Sequence, residues 1–571
     1  METDEAGILR RPGPQKTLLV NVLWPNNRGE GGYSRNDVLI ANGKIARIDP
    51  PHSIPQETED VEIEVIDGTE KMLLPGFVNA HTHSSEHWAH GLVMPLPLEL
   101  WIQPMFRNEP RGPRGWFGED SPEKTPSWQS IGVSALHCGV ESLLSGCTAI
   151  LDHLAVRNLE DLEAAVKAYR ALGIRAFVAP MLGDDVIPAS NYIPLVHDAA
   201  QRNAACPNCK AMGKDGAFRT EPGPFNPKRT QEVLELWEQA VQKFHDPAGG
   251  IEIVIAPITA YSVSEALFRG AAALRKKYNL CGHTHLLETR GQALMARQYF
   301  ATQSAVKQLR EWGFLDRTLR GTSFAHSVWL DDEEYEIIAQ EKGTCVHNPL
   351  SNLRLGSGVM PVHRATAELN VNVAMGCDGS CSSDGQDMLE ALKLGTILSA
   401  VARPDYRDWL TARKVALELA SKNGYRAVGM QDQGGEIKVG MVADLTLWDL
   451  TSLALLPRTD PLSLLILGSR TQAPGAGSTL HSSWVRGERV VTNGSPTGLD
   501  LPRFREYLMS LQKEYRDPAI TDPRTDSELT AATEVEYRAA MGLDKEGQSG
   551  PAPEHLRCYP INRVLYDSTI E

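Results

Sequence analysis

His81-Thr-His83 closes an apolar run that begins at Phe77. Side chains two apart on a regular strand point to the same face, so this pair can grip one metal ion from one side. Such a pair also arises by chance, as two surface or core histidines. Three further positions shift the balance. His285-Leu-Leu-Glu288 brings an imidazole and a carboxylate to one strand end, where Glu288 suits general acid/base work. His283 shares a face with His285, so spacing alone leaves the choice of ligand between them open. His326 closes the next apolar run, and Asp378 closes a later one, where it offers an oxygen.

These residues lie far apart in the chain, and only a fold that gathers strand ends can join them. Eight strand-like runs are expected at 77–82, 148–154, 174–181, 251–257, 281–286, 322–327, 344–348 and 371–377. Helical periodicity fills the gaps, most clearly at 159–172, 231–244, 263–278 and 388–401. Strands alternating with helices predict an α/β fold, a (β/α)8 TIM-like barrel. The candidates then sit at the C-terminal ends of strands one, five, six and eight, the face on which such barrels carry their sites.

Short strands and turns fill the first 75 residues, and strand signals return at 440–449 and 484–491. The expected organisation is a small β-sandwich built from both chain ends, 1–75 and 434–496, around a barrel at 76–433. A C-terminal extension, 497–571, reads as helical and then irregular. Two long connections, 84–126 and 183–230, follow barrel strands and are expected to wall the pocket.

The 571 residues carry 57 Lys and Arg against 72 Asp and Glu, a net charge of −15. That balance argues against nucleic acid or an acidic membrane surface as the main partner. The acidic start argues against a leader, and no apolar run is long enough to span a membrane. Nine scattered cysteines suit a reduced, cytoplasmic chain. A small-molecule substrate and a homodimer or higher homo-oligomer are the expected partners. Cys206-Pro-Asn-Cys209 lacks the second pair of a structural zinc site. No HxE exists to match the zinc deaminases that pair it with PCxxC. Cys377 and Cys381 read as small buried thiols, and Asp152-His153 as a structural hydrogen bond, with a place facing the pocket as the alternative.

Taken in order, several strings resemble the amidohydrolase superfamily, in its deaminase and chlorohydrolase branch. They are Leu74-Pro-Gly-Phe-Val-Asn-Ala-His-Thr-His83, His285-Leu-Leu-Glu-Thr289, Ala325-His-Ser-Val-Trp-Leu330, His347-Asn-Pro-Leu-Ser-Asn-Leu-Arg-Leu-Gly-Ser-Gly358, Asp378 and Gly440-Met-Val-Ala-Asp444. This branch includes methylthioadenosine/S-adenosylhomocysteine deaminases, guanine-type deaminases and triazine hydrolases. The resemblance implies one divalent ion, zinc first and iron second, held by His81, His83, His285 and Asp378, with His283 outside the ligand set. Two-metal relatives carry a lysine after the fourth strand, and 251–257 holds none. The ion lowers the pKa of water toward neutrality.

By the same resemblance Glu288 protonates a ring nitrogen, His326 holds the attacking oxygen, and Asp378 passes the water proton to the leaving group. Trp101 and His326 contact substrate. Ile258 stands where nucleoside deaminases often carry a histidine, and Trp329 replaces a second histidine of the sixth-strand motif. The expected activity is hydrolytic deamination of an aminated nitrogen heterocycle, purine-, pterin- or triazine-like. The alternatives are hydrolytic loss of chloride or an alkylamine, and a catalytically dead barrel acting as a scaffold. All four ligands and Glu288 are present, which weighs against the scaffold.

Overall fold

A computed structural model describes residues 16–26, 32–55, 63–91, 95–107, 127–184, 226–468 and 479–515, with Glu534, Tyr537, Arg538 and Met541. Of the long connections, 92–94, 108–126 and 185–225 lie outside the described residues, and Cys206 and Cys209 with them. Most of the C-terminal extension beyond Tyr515 does too.

The first five strands are β1 (Lys16–Pro25), β2 (Tyr33–Ala41), β3 (Lys44–Asp49), β4 (Ile63–Asp67) and β5 (Lys71–Pro75). The next group is β6 (Phe77–Thr82), β7 (Cys147–Ala155), β8 (Arg175–Leu182), β9 (Ile251–Ile253) and β10 (Ala256–Pro257). It is followed by β11 (Gly282–Leu286), β12 (Thr322–His326), β13 (Thr344–His347) and β14 (Asn372–Met375). The last four are β15 (Leu445–Asp449), β16 (Leu480–Val485), β17 (Glu488–Thr492) and β18 (Ser495–Pro496).

Each of the eight expected runs holds a strand, and β6 to β14 make two parallel sheets. One follows the order β10-β8-β7-β6 with β9 on β8, the other β11-β12-β13-β14. Parallel strands covered on both faces read as near-continuous apolar runs, and β6, β12, β13 and β14 are buried at every residue. The run at 251–257 splits because the chain changes neighbours. Val254 N donates to Val178 O, whereas Ile255 N donates to Cys281 O. Parallel bridges Ile255–Gly282 and Thr259–His285 join the two sheets on that side. On the other side Asp378 N donates to His81 O at 2.9 Å, and Cys377 N to Asn79 Oδ1 at 2.9 Å. Parallel strands alternating with helices in two joined sheets make this a TIM-barrel-like α/β fold.

Helices cover the sheets where polar caps allow them to start and stop. The helix Leu159–Leu172 begins at Asn158, whose side chain accepts from Asp161 N, and ends at Gly173 with φ 73°. The helix Pro227–Phe244 starts a turn before the expected 231, because Asn226 caps it and Pro227 supplies the first-turn φ.

Both chain ends meet in one nine-stranded sheet of order β18-β17-β16-β15-β5-β1-β2-β3, with β4 on β1. A buried polar knot fastens it to the parallel strands. Asp444 takes Arg175 Nε at 3.0 Å, Arg486 N at 2.6 Å and the Tyr425 hydroxyl. Among the described residues no helix is long and apolar enough to cross a membrane.

Candidate active site

β6 loses register with β7 between Asn79 and Thr82, and beyond that break His81 and His83 turn toward the ends of β11, β12 and β14. Asp378 Oδ1 lies 3.2 Å from His81 Nε2 and 3.4 Å from His83 Nε2. His83 Nε2 lies 3.1 Å from His285 Nε2. The four residues named from the sequence as a ligand set are therefore brought together.

The tautomers follow from the neighbours. His83 Nδ1 is 2.6 Å from His153 O, and His285 Nδ1 is 2.8 Å from Ile258 O. A carbonyl only accepts, so both Nδ1 atoms carry the hydrogen and both Nε2 atoms present lone pairs. Two lone pairs 3.1 Å apart repel unless a cation lies between them. His81 Nε2 is also buried without a hydrogen-bond partner. Contacts of 3.1–3.4 Å match the edge of about 3.3 Å for a tetrahedron with ligands about 2.0–2.1 Å from zinc. The donor set fits a small divalent cation.

Burial pushes His81 down to about 3 and His285 well below the usual imidazole range, the neighbouring histidines adding to the effect on His285. Neutral imidazole is the ligating form. Burial alone would raise the Asp378 carboxyl, but the facing His81 and His326 rings hold it well below its ordinary value.

His283 stands one layer behind. Its Nε2 is 2.9 Å from His81 Nδ1 and its Nδ1 is 2.7 Å from Ser323 Oγ. That is the supporting place from which a second imidazole orients a ligand.

His326 Nδ1 meets Asn352 Oδ1 at 2.9 Å, which leaves Nε2 between two carboxylates. Glu288 Oε2 is 3.6 Å away and Asp378 Oδ2 3.7 Å. Glu288 is 4% exposed, and burial first, then the charges of Asp378 and Glu99, raise its carboxyl well above the usual range. Its surroundings favour the acid form, beside a carboxyl whose surroundings favour the ionised form. Environments that split the behaviour of two carboxyls in this way mark acid/base pairs.

Trp101 lies on the helix Leu98–Arg107, 3% exposed, in an apolar cluster with Ala89, Leu98, Ile102, Leu355 and Cys381. The same helix is tied to the end of β11 by Thr289 Oγ1 donating to Glu99 Oε1 at 2.6 Å. Trp101 is thus packed into this cluster beside the site and presents almost no free face. Cys377 and Cys381 are buried thiols raised well above their usual range, first by burial.

Asp152 makes structural hydrogen bonds, accepting from Ser84 N, Ser84 Oγ and Tyr169 Oη at 2.6–2.9 Å. His153 does not follow it. Its ring is buried with neither nitrogen hydrogen-bonded, 4.7 Å from the His285 ring and 5.6 Å from the His83 ring between centroids. The signal for this was the strand period, since Ala149 and Leu151 face the inner core and 153 continues the series. Glu86 was also missed. Its Oε2 is buried, and a Cβ at Gly379 would lie 1.9 Å from that oxygen, so glycine there admits it. Burial raises Glu86 to about 7.

The chain is similar to known proteins along most of its length. The Amidohydrolase family profile matches residues 72–478. A 5-methylthioadenosine/S-adenosylhomocysteine deaminase of Pyrococcus furiosus is 29% identical over 460 residues, 81% of this chain and 91% of that protein. A 5'-deoxyadenosine deaminase of Methanopyrus kandleri is 27% identical over 459 residues, 80% of this chain and 89% of that protein. Among solved structures, the zinc complex of an atrazine chlorohydrolase from Arthrobacter aurescens superposes with a TM-score of 0.70 at 21% identity, covering 87% of this chain and 99% of that one. A zinc-bound adenosine deaminase from Xanthomonas campestris gives 0.67 at 22% identity, over 88% and 99%. The strand-end histidines and the profile spanning most of the chain lead to one conclusion: this protein belongs to the amidohydrolase family, and it is a hydrolase acting on carbon–nitrogen bonds.

Proposed function

We propose that the protein is a hydrolytic deaminase of an aminated nitrogen heterocycle of the purine class, releasing ammonia. The observation that carries this reading is the placement of two buried carboxyls 3.6 and 3.7 Å from His326 Nε2, Glu288 shifted up by burial and Asp378 held down by the facing imidazoles. Deamination of a ring needs both states at once. One group must give a proton to the ring nitrogen, and another must take one from water.

His81, His83, His285 and Asp378 would hold one divalent ion, zinc by the donor set, with iron the alternative. When bound, that ion supplies Lewis-acid polarisation and a lowered pKa for water. Glu288 gives its proton to the ring nitrogen beside the carbon under attack, so charge does not build on the ring. His326 Nε2 holds the attacking oxygen by hydrogen bond. Asp378 takes the proton that water loses and delivers it to the departing amine. The carbon–oxygen bond forms, the carbon–nitrogen bond breaks, ammonia leaves, and the proton left on the new oxygen returns to Glu288.

Deaminase-named relatives aligned over about four-fifths of the chain support this substrate class. We read β6 to β14 as one closed eight-stranded barrel, occupying 76–433, with the terminal strands at 1–75 and 434–496 as an attached β-unit. In this reading Trp101 backs the helix Leu98–Arg107 beside the site as packing.

The test is a release screen over adenosine-type nucleosides, free purines, pterins and triazines, following ammonia, chloride and alkylamine in parallel. Ammonia from a purine-class compound is expected. Chloride or amine release without ammonia from any compound would overturn the reading.

A further inference from the structure

We infer that His87, His137 and Glu141 form a second divalent-metal site, distinct from the strand-end cluster. His137 and Glu141 are four residues apart on the helix Ser127–Leu144, so they share a face. His87 comes from the short 3-10 helix Ser84–Ala89. Their ligating atoms all lie within 4.8 Å of one another. Glu141 Oε1 is 3.6 Å from His87 Nε2 and 3.7 Å from His137 Nε2.

The decisive atom is His87 Nε2. The residue is 1% exposed, and this nitrogen has no hydrogen-bond partner. The other ring nitrogen is engaged, with Nδ1 2.7 Å from Ser380 Oγ. An orphaned buried nitrogen aimed at a carboxylate calls for a partner. The spacing is too long for hydrogen bonds. It is a few tenths of an ångström wider than the edge of about 3.3 Å between two ligands of one tetrahedral zinc.

The surroundings suit a metal more than an ion pair. Burial pushes His137 down to about 4. Burial would raise Glu141, but the facing imidazoles and the Gln386 amide bring it down to about 2. A neutral imidazole and an ionised carboxylate are the forms that ligate near neutrality. Glu141 Oε2 also accepts from Gln386 N at 3.0 Å, which orients the carboxylate as supporting contacts orient ligands. The exposed His90, its ring centroid 5.2 Å from that of His87, lies on the solvent side, where an ion would enter. Phe504, from the helix Leu501–Tyr515, packs edge-on against the His137 ring at 6.1 Å.

Such an ion would act as a staple. His87 is four residues beyond His83, and Ser380 and Gln386 are two and eight beyond Asp378. The site therefore ties the segments leaving β6 and β14 to the helix Ser127–Leu144. It does not depend on the deaminase reading.

The test loads full-length protein with Zn²⁺ alone, desalts it and counts zinc by elemental analysis. We expect about two ions per chain in the wild type. About one should remain in His81→Ala/His83→Ala and about one in His137→Ala, with Glu141→Gln behaving like His137→Ala. Thermal melts provide the second readout. A zinc-dependent rise should persist in His81→Ala/His83→Ala and vanish in its triple variant with His137→Gln. If the double variant holds no zinc and its melt ignores zinc, the inference is overturned even should His137→Ala fail to fold. A His137→Ala protein with the wild-type count overturns it equally.

Discussion

Glu288→Gln tests the acid assignment most directly. Glu288 is buried between the β11 and β12 strand ends, with Ser357 Oγ 3.4 Å from Oε1 and His326 Nε2 3.6 Å from Oε2. Burial raises its carboxyl and so favours the neutral form, which glutamine matches in charge, volume and hydrogen-bonding capacity. What it removes is the transferable proton. A positioned acid is worth about 10²–10⁴ in rate, or about 3–5 kcal/mol at about 1.4 kcal/mol per tenfold. We therefore expect kcat for ammonia release to fall by that factor, while KM moves little. Elemental analysis should find the metal content intact, because Glu288 belongs to neither donor group around His81. The pH profile supplies a second readout. The acid must be protonated, so wild-type activity is held below its raised pKa and lost as pH rises through it. Residual activity of Glu288→Gln should lack that basic limb. Turnover within about threefold of wild type would refute the role. Loss of the metal would make Glu288 a ligand.

His81→Ala should lose the strand-end ion and the activity together, by elemental analysis and ammonia release; metal retained at wild-type level would remove His81 from the ligand set. Glu99 itself sits at about 7 through burial, and its charge helps raise Glu288. Glu99→Gln should therefore move the basic limb of the rate profile to lower pH, and an unmoved limb would detach Glu99 from the acid. Asp444→Ala strands the buried Arg175 guanidinium, so urea unfolding should show a loss of about 3–5 kcal/mol. Trp101→Ala should cost about 3–5 kcal/mol of stability in urea unfolding, because the ring is packed among Ala89, Leu98, Ile102 and Leu355; unchanged stability with a raised KM would instead make the ring a substrate contact.

Much of the site was legible because its chemistry sits where periodicity ends. An apolar run that stops at His83, Glu288, His326 or Asp378 marks both the strand and its terminal side chain. What could not be read depends on packing between distant segments. Glu86 and His87 lie on a 3-10 helix, and their neighbours Gly379, Ser380 and Glu141 come from two other parts of the chain. No local pattern announces such meetings. His153 takes the pocket-facing alternative and not the structural hydrogen bond, for a different reason. An aspartate beside a histidine suggests a bonded pair, but neighbours on a strand face opposite ways, so Asp152 turned to Ser84 and Tyr169 while His153 turned inward.

The backbone shows how firmly the strand ends are held. Leu287, His326, Ser327 and Asp378 all have positive φ, between 45° and 71°. Asp and His tolerate the left-handed region better than most residues, but for leucine it is an outlier. Strained conformations cost about 1–3 kcal/mol each and persist only where the surroundings over-determine them. Here they do. Ser327 N donates to Leu286 O, Val328 N and Trp329 N both reach Leu287 O, and Asp378 N reaches His81 O. These bonds cross from one strand end to the next, so each bent residue is fixed by its neighbour. The arrangement of Glu288, His326 and Asp378 is thus set by main-chain hydrogen bonds of the fold. A side chain held in place before substrate arrives loses little freedom when it reacts, and this is the property that electrostatic and acid/base catalysis require.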